Sequence, residues 1–141
     1  MSTTPLKARS AAVVVAALLA LALAACGSTV STGNFKGPSK AVAERISDFQ
    51  SDVTGREEKK LCNRDLAGAV RSRLQAGGSS CVEALEKQLG AITDFEISVS
   101  SIAVHGKSAT ARVKSTWSGK QRTTTMQLVE EGGAWKIAAV Q

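Results

Sequence analysis

Apolar positions follow three successive spacings along the chain. The first pattern is an unbroken apolar run, Ala11 to Ala25, shorter than the ~20 residues a membrane-spanning helix needs. From Val42 the spacing becomes helical: Val42, Ile46, Phe49 and Val53 recur at steps of 4, 3 and 4, one face of an amphipathic helix that Ser39 can cap. Glu44, Asp48 and Asp52 run along the other side, a line more readily solvated than filled by a divalent cation. Gly55 ends the helix, and a charged stretch from Arg56 to Lys60 follows. Asn63 is expected to cap a second helix carrying Leu66, Ala69, Val70 and Leu74, stopped at Gly77-Gly78. Ser80-Cys81-Val82-Glu83 fits a capping box and opens a third helix with Val82, Leu85 and Leu89 inward.

From Asp94 the period becomes two. Turn signals at His105-Gly106, Ser118-Gly119 and Gly132-Gly133 divide the remainder into four strands. A two-residue loop at Ser118-Gly119 sets Val113 against Thr124, Ala111 against Met126 and Ala109 against Leu128, all on one face. A loop at Gly132-Gly133 adds Ile137 opposite Leu128 and Ala139 opposite Met126. In the first hairpin Ile102 meets Ala109, but Phe95, Ile97 and Val99 have the wrong parity to stay inside. One extra residue at Ser100-Ser101 repairs this, so the pattern predicts a β-bulge there. The fold class is α+β, three N-terminal helices packed on a curved four-stranded antiparallel β-meander.

The N-terminal run gains meaning from its flanks. Lys7 and Arg9 precede it, and no acidic residue occurs before Glu44, the grammar of a secretion signal. Its end, Leu23-Ala24-Ala25-Cys26-Gly27, resembles the lipobox of bacterial lipoproteins. That resemblance implies cleavage before Cys26 and a diacylglyceryl thioether on its sulfur. The chain then divides into a signal peptide over 1–25, a lipidated N-terminus and Gly/Ser/Thr-rich flexible tether over 26–38, and a folded domain over 39–141. The expected location is the extracytoplasmic face of the cell membrane, with the membrane itself as partner through the lipid on Cys26.

Charge alters this picture little. The whole chain carries 18 basic and 12 acidic residues, a net +6. Lys7 and Arg9 belong to the export segment, which leaves a net +4 on the rest. Three Phe, two Trp and no Tyr are few for stacking on bases, and export points the same way, so no nucleic-acid partner is expected. Cys62 and Cys81 remain once Cys26 is modified, and in an exported chain such a pair is expected as a disulfide; a reactive Cys81 thiolate at a helix N-terminus is the alternative. His105, the one histidine, sits at a turn signal without an acid or thiol partner. No cofactor or metal site and no catalytic residues are expected.

Helices followed by a curved four-stranded sheet resemble the cone-shaped nuclear transport factor 2-like superfamily, and more narrowly its small bacterial lipoproteins. The likeness is carried by Cys62 and Cys81 flanking the second helix, by Ile102 to Thr110, and by Gly133-Ala134-Trp135-Lys136-Ile137. The inward strand positions, from Phe95 and Ile97 through Ser115, Trp117 and Thr124 to Trp135, Ile137 and Ala139, include no carboxylate, histidine or tyrosine. Enzymes of that superfamily place such groups inside the cone, and acid–base catalysis needs one titrating near the working pH. Glu130, inward only at the rim beside Trp135, is the nearest exception, while Asp94 and a Glu96–Lys114 pair face outward. The expectation is therefore a membrane-tethered, non-catalytic accessory or binding module of the cell envelope. The alternative is a carrier of small hydrophobic ligands, or an enzyme, using the cone interior. Arg112, Lys114 and Lys136 are the outward cations available to an envelope protein or an anionic envelope polymer.

Overall fold

The computed structural model describes residues 30–141. The expected signal peptide, and Cys26 with its expected lipid, therefore lie outside the described residues. Helix α1 spans Pro38–Thr54. Its start differs from the expected Ser39 cap: Gly37, with φ 57°, turns the chain, and Pro38 occupies the first turn, where a missing N–H costs nothing. Val42, Ala43, Ile46 and Val53 bury its apolar face. Val30 is also buried in the core, so ordered packing begins inside the segment expected as tether.

The second helical region departs most from the sequence pattern. A short helix α2, Glu58–Lys60, runs into a π-turn, Leu61–Asp65, and the helix proper, α3, is Gly68–Gln75. Asn63 is inside the π-turn rather than at a cap. Leu66 is extended and bridges Ile137 of the sheet, and the Ala67 N–H donates to the Ile137 carbonyl at 2.8 Å. The chain dips to the sheet here, which breaks the helical period between Leu66 and Val70. Glu131 supplies the missing cap from the sheet, its carboxylate accepting the Gly68 N–H at 3.1 and 3.2 Å. Helix α4, Cys81–Leu89, begins with the expected capping box: the Glu83 N–H donates to the Ser80 hydroxyl while the Ser80 N–H donates to the Glu83 carboxylate. Those bonds, the backbone one foremost, hold the Glu83 carboxyl below its usual range.

Strands β1, Phe95–His105, β2, Ser108–Trp117, β3, Lys120–Glu131, and β4, Ala134–Val140, form one antiparallel sheet in chain order. The β2–β3 register pairs Val113 with Thr124, Ala111 with Met126 and Ala109 with Leu128, as the pattern predicts. In β1 the bulge lies between Val99 and Ser101 and returns Phe95, Ile97 and Val99 to the helix-covered face. The first hairpin turns at Gly106-Lys107, one residue later than expected. His105 therefore pairs with Ser108 inside the ladder, and Ile102 lies opposite Ala111 rather than Ala109. Gly106 alone of the loop pair has positive φ, which suits a hairpin that twists with its strands. In β4 a second irregularity puts Val140, not Ala139, opposite Met126. Glu96 stands opposite Thr116 and Lys114 opposite Ser98, so the expected surface pair is not a direct neighbour.

The core lies between the helices and one sheet face. Ala109, Ala111, Val113, Met126, Leu128 and Ile137 meet Val42, Ile46, Leu61 and Leu85 there. Helix α1 lies chiefly against β1, and the Gln50 side chain accepts the Ile97 N–H at 2.6 Å in the interior. The β2–β3 end of the sheet projects beyond this cover: Ser115 is half-buried and Trp117 is 49% exposed, although both were expected inside.

Candidate ligand-binding cleft

The uncovered end of the sheet and the helices enclose a cleft of about 190 Å³. Its walls are Phe49 and Val53 from α1, Leu61 and Leu66 from the π-turn region, Val70 and Leu74 from α3, and Leu85, Gln88 and Leu89 from α4, with Ile92, Phe95 and Trp117 closing it. None of these side chains is ionisable, and Gln88 is the one polar group. Phe95 stands edge-on to Phe49, with ring centres 6.0 Å apart, and to Trp117 at 5.8 Å. Such contacts orient rings beyond what area burial supplies. Asp94, expected as a plain outward residue, organises this corner. Its carbonyl accepts the Ser118 N–H and its carboxylate accepts the Gly119 N–H at 2.9 and 3.1 Å. The brace fixes the turn that presents Trp117, a turn in which Ser118 itself holds φ 47°.

Trp117 also lines a second groove of about 320 Å³ on the same sheet face, together with Ser115, Lys120, Arg122, Thr124 and Val140. The register explains why these six converge: Trp117 pairs with Lys120, Ser115 with Arg122 and Val113 with Thr124, so all share the parity of the buried Val113 and Met126. The Thr124 hydroxyl oxygen is buried without a hydrogen-bond partner. Lys120 and Arg122 stand four and two residues before Thr124, so alternation puts them on the inner face, although charged side chains do not mark that face in a sequence.

A buried ionic cluster lies apart from both. Arg45 donates to Asp65 at 2.6 Å, Arg64 donates to Asp52 at 2.6 Å and to Asp65 at 3.2 Å, and Asp65 is fully buried. Asp52 is thus an interior group and not part of a solvated acidic line. Burial, reinforced by the neighbouring Asp52 carboxyl and opposed by Arg45 and Arg64, pushes Asp65 up to about 6. No member of this cluster lines the apolar cleft. Among the described residues no three His, Cys, Asp or Glu are grouped to hold a metal.

Cys62 and Cys81 are joined, tying the π-turn to the start of α4; the bonded state leaves no Cys81 thiolate in this structure. Arg112 and Lys114 are exposed on the sheet's outer face. Lys136 is separated from them by β3, and its ammonium donates to the Asn63 carbonyl at 3.0 Å. The three cations do not form one patch. Glu130 is half-buried opposite Trp135, outside the cleft lining.

Residues 80–140 match a protein-family model described as "Putative lumazine-binding", a stretch covering α4 and all four strands. No curated protein matches the sequence. A nuclear transport factor 2-like protein of unknown function from Silicibacter pomeroyi is similar in structure, with TM-score 0.50 and 18% identity over 72% of this chain and 93% of that one. Another of unknown function from Shewanella baltica superposes with TM-score 0.47 and 12% identity, over 73% and 93% of the two chains. At 18% identity the likeness to the first of these is one of architecture: four helices on an open antiparallel sheet, the nuclear transport factor 2-like fold.

Proposed function

We propose that this domain is a non-catalytic binding module that holds a small apolar ligand, or the apolar part of one, in the cleft beside Trp117, and that it works at the cell envelope tethered through Cys26. The observation that carries the reading is the cleft's lining: eleven apolar side chains and Gln88. A site of that composition excludes water and holds a hydrophobe, but it offers no group to take or give a proton. The "Putative lumazine-binding" match over residues 80–140 agrees with a ligand-binding role without specifying the ligand. The resemblance of Leu23-Ala24-Ala25-Cys26 to a lipobox supports the tether. The outer cations Arg112 and Lys114 remain candidates for contact with an envelope protein or polymer.

The binding claim is tested by isothermal titration of a small neutral hydrophobe, 1-hexanol, into wild type and Ile92→Trp. Saturable binding that the larger side chain abolishes supports it; no saturable binding by a folded wild type contradicts it. The tether is tested separately by Cys26→Ser, which should move the protein out of the detergent-extracted membrane fraction or leave it unprocessed.

A further inference from the structure

We propose that the ligand of this module is a single-chain anionic amphiphile, its chain in the apolar cleft and its acidic head on Lys120 and Arg122 in the adjoining groove. The inference rests on the binding function proposed for the cleft and adds the class of ligand.

Size makes the first part of the argument. A cavity of about 190 Å³ lies below the ~300–1,000 Å³ of ordinary small-molecule sites. It is closer to the ~150 Å³ cavity that takes up benzene. The cleft therefore holds a short hydrocarbon segment, and a longer molecule has to continue past Trp117. Trp117 is a wall of both this cleft and the second groove, of about 320 Å³.

The groove's surface supplies the second part. Trp117 and Val140, the large hydrophobics left exposed among the described residues, at 49% and 56%, both line it. Exposed apolar area gathered in one concavity and rimmed by polar groups marks a contact site. Its two charged members are Lys120 and Arg122, and neither forms an ion pair with a described residue. Two unpaired cations beside a tryptophan suit a carboxylate, sulfate or phosphate monoester, since charge-assisted hydrogen bonds are the strong ones. A concave cleft behind the groove favours a free monomer over a bilayer surface, whose chains cannot leave the membrane at no cost.

The test is isothermal titration of the full chain in neutral phosphatidylcholine nanodiscs with octanoate and with octanol, empty discs subtracted. Wild type should bind octanoate about tenfold tighter than octanol at low salt, a preference that shrinks as salt rises. Lys120→Ala/Arg122→Ala should lose the preference and keep the octanol affinity, whereas Ile92→Trp should lose both ligands. Equal affinity for the two in wild type, or a preference unchanged in the double variant, overturns the proposal while leaving the apolar cleft intact. Failure of both ligands to bind removes the cleft reading as well. Two further results also overturn it: binding to anionic vesicles but not to monomeric octanoate, and sedimentation showing this groove occupied by a second copy of the chain.

Discussion

The carboxylate of Asp94 accepts the backbone N–H of Gly119 through both oxygens, at 2.9 and 3.1 Å, across 25 residues of sequence. The bond joins the entry of β1 to the β2–β3 turn and so sets the position of Trp117 at the junction of cleft and groove. Asp94→Ala should cost about 1 kcal/mol, because the acceptor is charged but exposed. It should also weaken ligand binding. Thermal melts and probe titrations measure the two effects; unchanged binding would show that Trp117 is placed without the brace.

The Cys62–Cys81 bond joins residues 19 positions apart and pins the π-turn that carries Asp65. In the chain-entropy account a loop of this length stabilises by roughly 3 kcal/mol. Reduction, or Cys62→Ala, should lower the melting temperature accordingly, and alkylation of the folded oxidised protein should find neither thiol free.

Much of the sheet was legible because its face is coded by alternation. In β1 the parity of Phe95, Ile97 and Val99 conflicts with that of Ile102, and only an inserted residue resolves it, so the bulge could be located. In β4 the run Ile137-Ala138-Ala139-Val140 is apolar throughout, and no alternation remains to reveal the slip that puts Val140 opposite Met126. The buried charges were hidden by a different effect. Each step of four along an α-helix advances ~40° around the axis, so the line Glu44, Asp48, Asp52 drifts until its third member flanks the apolar face. There Arg64, delivered by a π-turn without a sequence signature, completes its pairing. The cleft was illegible for a similar reason: apolar residues from helices and strands announce a core, and only the packing shows where they fall short of filling it.

The raised Asp65 pKa has a definite sign. The folded state holds the proton up to about 6 where the unfolded chain releases it near 3.8. Asp65's contribution to stability is therefore greatest below the lower value and is lost as pH rises through the interval. Comparing urea midpoints of wild type and Asp65→Asn between those limits should show wild type losing ground to the variant as pH increases. A constant difference would mean that folding does not shift Asp65, and a wild type gaining ground as pH rises would mean that Arg45 and Arg64 hold it ionised.

Glu131 caps α3 from the sheet, its carboxylate on the Gly68 N–H. Glu131→Ala should destabilise by about 1 kcal/mol, the usual value of an N-terminal cap, and should speed hydrogen exchange in α3 more than in α4, whose capping box is local. Equal effects on both helices would argue against a specific cap.

The central claim is that the cleft between α1, α3, α4 and the Phe95–Trp117 corner takes up a hydrocarbon. Methyl-resolved NMR of the leucines during titration with octanol tests it most directly. The account predicts saturable shifts concentrated on Leu61, Leu66, Leu74, Leu85 and Leu89, with Leu128, on the buried part of β3, little affected. Shifts absent at saturating octanol, or spread evenly over all leucines, would contradict it.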